Sequence, residues 1–159
     1  MNLSGLNIIV TGASSGIGRQ AAIDISNAGA NVVLIGRNKD RLDEVSTKLS
    51  TGNHLVFQID ITKYEDLKPM VEDTVSKIGK ISGFVSCAGI ESTVPLNVMN
   101  PKIYQDFFAT NVIAGFEFAK LISQKKNVDV NGASFLFLSS IMSVLGEKGK
   151  IAYCSSKAA

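Results

Sequence analysis

The 159 residues hold one histidine, two cysteines, three prolines and no tryptophan. These scarcities exclude several classes of function. Cys87 and Cys154 lack the paired spacing of a disulfide framework or a metal knuckle, and they fit a reducing compartment. His54 has no second histidine or cysteine at ligand spacing, so it reads as an ordinary residue at the start of a strand and no metal site is expected. Charge of one sign is also missing, since 16 basic and 14 acidic residues leave a net charge of +2. Lys125-Lys126 is the only basic doublet, and no basic stripe interleaved with aromatics appears, which argues against nucleic acid as a partner. No apolar run approaches the ~20 residues of a membrane span. Met1–Gly5 lacks the charged and apolar regions of a secretory signal. The expectation is a soluble, cytoplasmic protein with no membrane partner.

What is present is a regular alternation. Asn7–Val10, Asn31–Ile35, His54–Gln58, Gly83–Ser86 and Ser134–Leu138 are short and apolar, as expected of parallel strands covered on both faces. Between them Gly16–Ala28, Lys39–Leu49, Tyr64–Ile78 and Pro101–Ser123 have helical periodicity. The punctuation agrees. Gly29 follows the first helix where a C-terminal glycine belongs. Thr62 or Lys63 precedes a helix with Glu65 and Asp66 in its first turn, and Asn100-Pro101 reads as a cap followed by proline at the first helical position. Strand–helix–strand repetition with short connections predicts right-handed crossovers and an α/β, doubly wound parallel sheet. The length suits one domain, residues 1–159.

The first strand leads into Thr11-Gly12-Ala13-Ser14-Ser15-Gly16-Ile17-Gly18, which opens the first helix. Glycines let the backbone approach a phosphate, and the helix N-terminus aims free N–H groups and the positive end of its dipole at it. Strand before, helix after and place in the first β-α-β unit make this a nucleotide site. Cofactor choice belongs at the end of the second strand, where a carboxylate would take the adenine ribose hydroxyls of NAD. Gly36 and Arg37 stand there instead. A guanidinium pairs with a 2′-phosphate, so NADP(H) is favoured and NAD(H) remains open, Arg37 being alternatively a plain loop arginine.

At the other end Tyr153 and Lys157 lie four apart, on one face of a helix, with Ser140 thirteen residues before the tyrosine. An isolated tyrosine ionises near ~10, too high for proton exchange at neutral pH, and an adjacent ammonium favours the phenolate. Carboxyl ends of strands line the ligand crevice of a doubly wound sheet, so Ser140, at the end of the fifth strand, is expected to face the same pocket and hold a carbonyl oxygen.

Taken together, TGxxxGIG and the Ser140, Tyr153 and Lys157 set resemble the short-chain dehydrogenase/reductase family across essentially the whole chain. The extended, epimerase-like relatives show TGxxGxxG instead. The resemblance implies a Rossmann fold binding its cofactor through Gly12, Ser14, Ser15, Gly16, Ile17, Gly18, Arg37, Asp60, Ala88, Gly89, Tyr153 and Lys157. It implies Tyr153 as general acid/base, Ser140 orienting the substrate oxygen, and Lys157 holding the nicotinamide ribose. Asn111, in Thr110-Asn111-Val112, matches the asparagine that positions a relay water, or is simply a helix-kinking amide. Asp60 matches the aspartate that contacts the adenine amine, or just begins the turn Asp60–Thr62. Where the family shows Asn-Asn-Ala-Gly, this chain has Ser86-Cys87-Ala88-Gly89, and Cys87 reads as a small filler with no base or cation beside it.

The family's activity would be interconversion of a small-molecule carbonyl and a secondary alcohol in a homo-oligomer, a dimer or tetramer. Family members continue beyond the position of Ala159. Five strands of seven are therefore expected, with an open apolar edge at strand five and with Lys157 in a fraying terminal turn. A non-catalytic dinucleotide-binding or sensing module is the competing expectation.

Overall fold

The computed structural model describes residues 2–159. Five parallel strands, β1 (Asn7–Thr11), β2 (Asn31–Gly36), β3 (Leu55–Gln58), β4 (Gly83–Ser86) and β5 (Ser134–Phe137), form one sheet in the order β3-β2-β1-β4-β5. The chain moves outward from β1 to β3, then returns to the other side of β1 for β4. That reversal makes the carboxyl ends of β1 and β4 the switch point where a ligand crevice opens.

Alternate residues of the central strands supply two cores. Ile9, Val33 and Ile35 pack with Leu67, Val71 and Phe118 on one face. Ile8, Val10, Val32 and Leu34 pack with Ala22, Leu42 and Val45 on the other. Helices α1 (Gly16–Asn27) and α2 (Lys39–Ser46) thus cover one face, and α3 (Leu67–Ile78) and α5 (Ala114–Ile122) cover the other. Burial on both faces explains why β1 and β2 read as continuous apolar runs rather than alternating ones.

The expected elements are present, with differences at several ends. The single helix expected over 101–123 is three pieces, α4 (Pro101–Phe108), a π-turn (Ala109–Ile113) and α5. Periodicity cannot resolve one inserted residue in a helix, which is what a π-turn amounts to. The helix expected from Tyr64 starts as a 3-10 turn, Tyr64–Asp66, and α2 stops three residues short of Leu49. Asn100 caps α4 as expected, its side-chain oxygen accepting from Ile103 N–H at 3.2 Å. Two further helices follow β5, the short α6 (Met142–Leu145) and α7 (Ile151–Ala158).

His54 lies one residue before β3. Its Nδ1 accepts from Val32 N–H at 3.0 Å and its Nε2 donates to Ser50 O at 2.6 Å, which fixes the neutral ring with its proton on Nε2. Among the described residues β5 is the last strand on its side of the sheet, with Leu136 and Phe137 about half exposed. No helix among the described residues is long and apolar enough to cross a membrane.

Candidate active site

A cleft of about 910 Å³ opens at the switch point, lined by the glycine turn, the ends of β2 and β3, and the loop after β4. Its floor has no room for a side chain at Gly12 or Gly18. A Cβ on Gly12, at φ +66°, would lie 2.8 Å from Ala88 N, and one on Gly18 would lie 2.4 Å from Gly12 O. Gly16 differs: at φ +53° it meets nothing within 4 Å, so its requirement is conformational. Ser15 caps α1 without a side-chain hydrogen bond, leaving the first-turn N–H groups available to an anion. A cradle that only glycine fits, at a helix start with unclaimed donors, suits the pyrophosphate of a dinucleotide. Gly12, Ser14, Ser15, Gly16, Ile17, Gly18, Ala88 and Gly89 all line it.

Arg37 and Asp60 stand at the far end of the cleft. Arg37 makes no ion pair among the described residues, while its main-chain oxygen accepts from Gln58 Nε2 at 3.1 Å. Asp60 begins the expected turn. Its Oδ1 accepts from Thr62 Oγ1 at 2.7 Å and Thr62 N–H at 3.0 Å, which forms the turn and holds the carboxyl below its ordinary range. Its Oδ2 makes no protein hydrogen bond among the described residues. Cys87 also lines the cleft, half-buried, and here the expectation is corrected: a cation does stand beside it. Burial pushes the thiol up and the charge of Lys157 pulls the other way. The partner came from 70 residues further on, which local sequence could not show.

The residues expected to handle a proton lie on and around α7. Lys157 Nζ donates to Leu138 O at 2.7 Å, and Ser139 Oγ donates to Lys157 O at 2.7 Å. The terminal turn is therefore clasped by the end of β5 rather than loose, contrary to expectation. Burial depresses the ammonium below its ordinary value, with Cys87 opposing. Nζ comes within 3.5 Å of the space a Cβ on Gly89 would occupy, which brings α7 against the loop after β4.

Asn111 sits mid-way along the π-turn. Its Oδ1 accepts from Ile90 N–H at 2.8 Å, and its Nδ2 donates to Ile90 O at 3.1 Å and to Ser156 Oγ at 2.8 Å. Both amide protons are spent on protein, so this side chain braces the loop after β4 against α7. Buried Ser156 in turn donates to Tyr153 O at 2.9 Å. By spacing Ser139 is a weaker candidate than Ser140 for the substrate oxygen, and Ser156 carries no sequence signal at all. Only their partners across the fold reveal them.

Tyr153 is half-buried, and its phenol makes no hydrogen bond among the described residues. Ser140 lies three residues past the end of β5 rather than at it. Its Oγ accepts from Met142 N–H at 3.2 Å, and its own proton has no protein acceptor among the described residues. Neither lines the large cleft, so the expectation that Ser140 faces that pocket is corrected. Asn111 and Lys157 instead line a second cavity of about 320 Å³ with Phe116, Phe137 and Ser139. No cluster of potential metal ligands occurs among the described residues.

A family profile described as short chain dehydrogenase matches residues 6–159. An 11-beta-hydroxysteroid dehydrogenase-like protein 2 of Arabidopsis thaliana is 29% identical over 99% of this chain and 47% of its own length. The uncharacterized oxidoreductase YciK of Escherichia coli K12 is 30% identical over 94% of this chain and 62% of its own. An NAD-dependent glycerol dehydrogenase of Listeria innocua is 28% identical over 99% and 61%. A crystal structure of a Sinorhizobium meliloti 1021 protein assigned to the short-chain alcohol dehydrogenases superposes with a TM-score of 0.90 at 26% identity, covering 99% of this chain and 63% of that one. The chain thus spans roughly half to three-fifths of the length of these relatives.

Proposed function

Since the chain belongs to the short-chain dehydrogenase family, we propose that it acts as an NADP(H)-preferring oxidoreductase interconverting a carbonyl and a secondary alcohol. The observation that carries this reading is the Lys157 clasp, which sets an ammonium against Gly89 of the nucleotide cleft on the same helix as an uncommitted tyrosine. A bound nicotinamide supplies or accepts the hydride.

The chain's own residues do the rest. The glycine turn and the start of α1 hold the phosphates, and Asp60 offers Oδ2 to the adenine amine. Arg37 offers an unpaired guanidinium to a 2′-phosphate, which supports NADP over NAD. Tyr153 exchanges the proton with the substrate oxygen through its free phenol. Ser140 donates its free hydroxyl proton to the same oxygen. The side chain of Asn111 acts by bracing the loop and α7, because its amide protons are already committed.

The test is Tyr153→Phe. We expect turnover of carbonyl substrates to vanish while NADP binding, followed by fluorescence, stays within about twofold. Retained turnover would sink the mechanism. A wild-type protein that binds NADP but reduces no carbonyl in a broad panel would point to a binding module.

A further inference from the structure

One charged cluster, which reaches the large cleft through Glu91, ties together segments distant in the chain. Lys150 flanks α7 on its N-terminal side, three residues ahead of Tyr153. Its ammonium meets Glu91 Oε1 at 2.8 Å and Glu147 Oε2 at 2.9 Å. The lysine side chain is 19% exposed against 50% and 48% for the carboxylates, so the cation is tucked under them. An isolated, fully solvated pair would carry little weight. A shielded cation shared by two carboxylates is a stronger restraint.

The backbones of the same two segments also meet. Val94 N–H donates to Gly149 O at 2.7 Å, and a Cβ on Gly149 would lie 2.8 Å from Thr93 Cγ2. Glu91 in addition lines the large cleft. Lys150 O accepts from Cys154 N–H at 2.8 Å, which opens α7.

We infer that Lys150 is a positioning residue, strapping the loop after β4 to the start of α7 and thereby setting where α7 holds the Tyr153 phenol. A helix of eight residues does not hold itself in water. The far end of α7 is clasped by Ser139, and its middle by Asn111 through Ser156. Its near end has no side-chain cap, and the strap is the restraint there. The catalytic consequence rests on the oxidoreductase reading, whereas the strap itself does not.

The experiment compares K150M, K150R and E147Q with the unaltered protein. It measures kcat, KM, NADP affinity and amide hydrogen exchange over residues 149–158. K150M keeps the stem and loses the charge, so kcat should fall about tenfold through misplacement of the phenol, with NADP affinity within about twofold and faster exchange in α7. K150R should recover most of kcat, and E147Q should shift both readouts in the same direction by less, which decides the matter should K150M not fold. Unchanged kcat and exchange in K150M would overturn the inference, as would equal losses in K150M and K150R, which would assign the role to stem packing. If the unaltered protein turns over no carbonyl, the oxidoreductase reading fails by itself, and the exchange of α7 in K150M still decides the strap.

Discussion

Lys157 and Leu138 are joined by a 2.7 Å hydrogen bond from ammonium to main-chain oxygen, and Leu138 also lines the large cleft. The end of β5 thereby fixes the ammonium close to Gly89, which lines that cleft, while Ser139 next door holds the carbonyl of Lys157.

Removing that second hold should be felt at the cofactor. Ser139→Ala deletes one hydrogen bond of about 0.5–1.5 kcal/mol, so NADP affinity should weaken by roughly two- to tenfold. Fluorescence titration checks this. Unaltered affinity would mean that the Leu138 bond alone fixes the lysine.

Arg37 should decide between the two cofactors. Arg37→Asp replaces an unpaired guanidinium with a carboxylate that repels a 2′-phosphate and accepts from ribose hydroxyls. The ratio of kcat/KM for NADP over NAD should drop by at least about tenfold. A constant ratio would place phosphate recognition elsewhere.

Gly12 admits no substitution. In Gly12→Ala the new methyl would sit 2.8 Å from the backbone of Ala88 in a left-handed conformation. Overpacking and backbone strain should cost about 1–3 kcal/mol of stability, measured by urea unfolding, and NADP binding should be lost with it. An alanine variant of native stability would show that the turn relaxes.

Asp60 should leave a signature in acid. Its folded carboxyl is held below the ordinary value of 3.8 by the hydrogen bonds from Thr62. The folded protein therefore binds fewer protons there than the unfolded chain, and the stabilisation is complete above 3.8 and lost as pH falls through the folded value. Wild type should be more stable than Asp60→Asn near neutral pH, with the gap closing below 3.8. Thermal melts from pH 2 to 7 check this, and a gap independent of pH would assign the effect to geometry.

Much of the fold was legible because it is carried by local chemistry. The apolar runs of β1 and β2, the glycine turn at Gly12–Gly18 and the Asn100-Pro101 cap follow from backbone freedom and from burial on both faces. Periodicity placed Tyr153 and Lys157 on one helix face, since four residues make about one turn. What escaped were features without a local signature. The π-turn at Ala109–Ile113 hides inside an unbroken helical pattern, and Asn111 serves as a brace because Ile90 and Ser156 happen to converge on it. Cys87 acquires its cation, and Lys157 its fixed place, from residues 70 and 19 positions away.

By itself, then, the sequence determined the strand and helix periods, the glycine turn and the residue types able to move a proton. Each depends on neighbours within a few positions. Only the tertiary structure decided which side chains are committed to bracing and which remain free. A hydrogen bond between distant residues exists only after the sheet order brings them within 3 Å, and no local pattern encodes that distance.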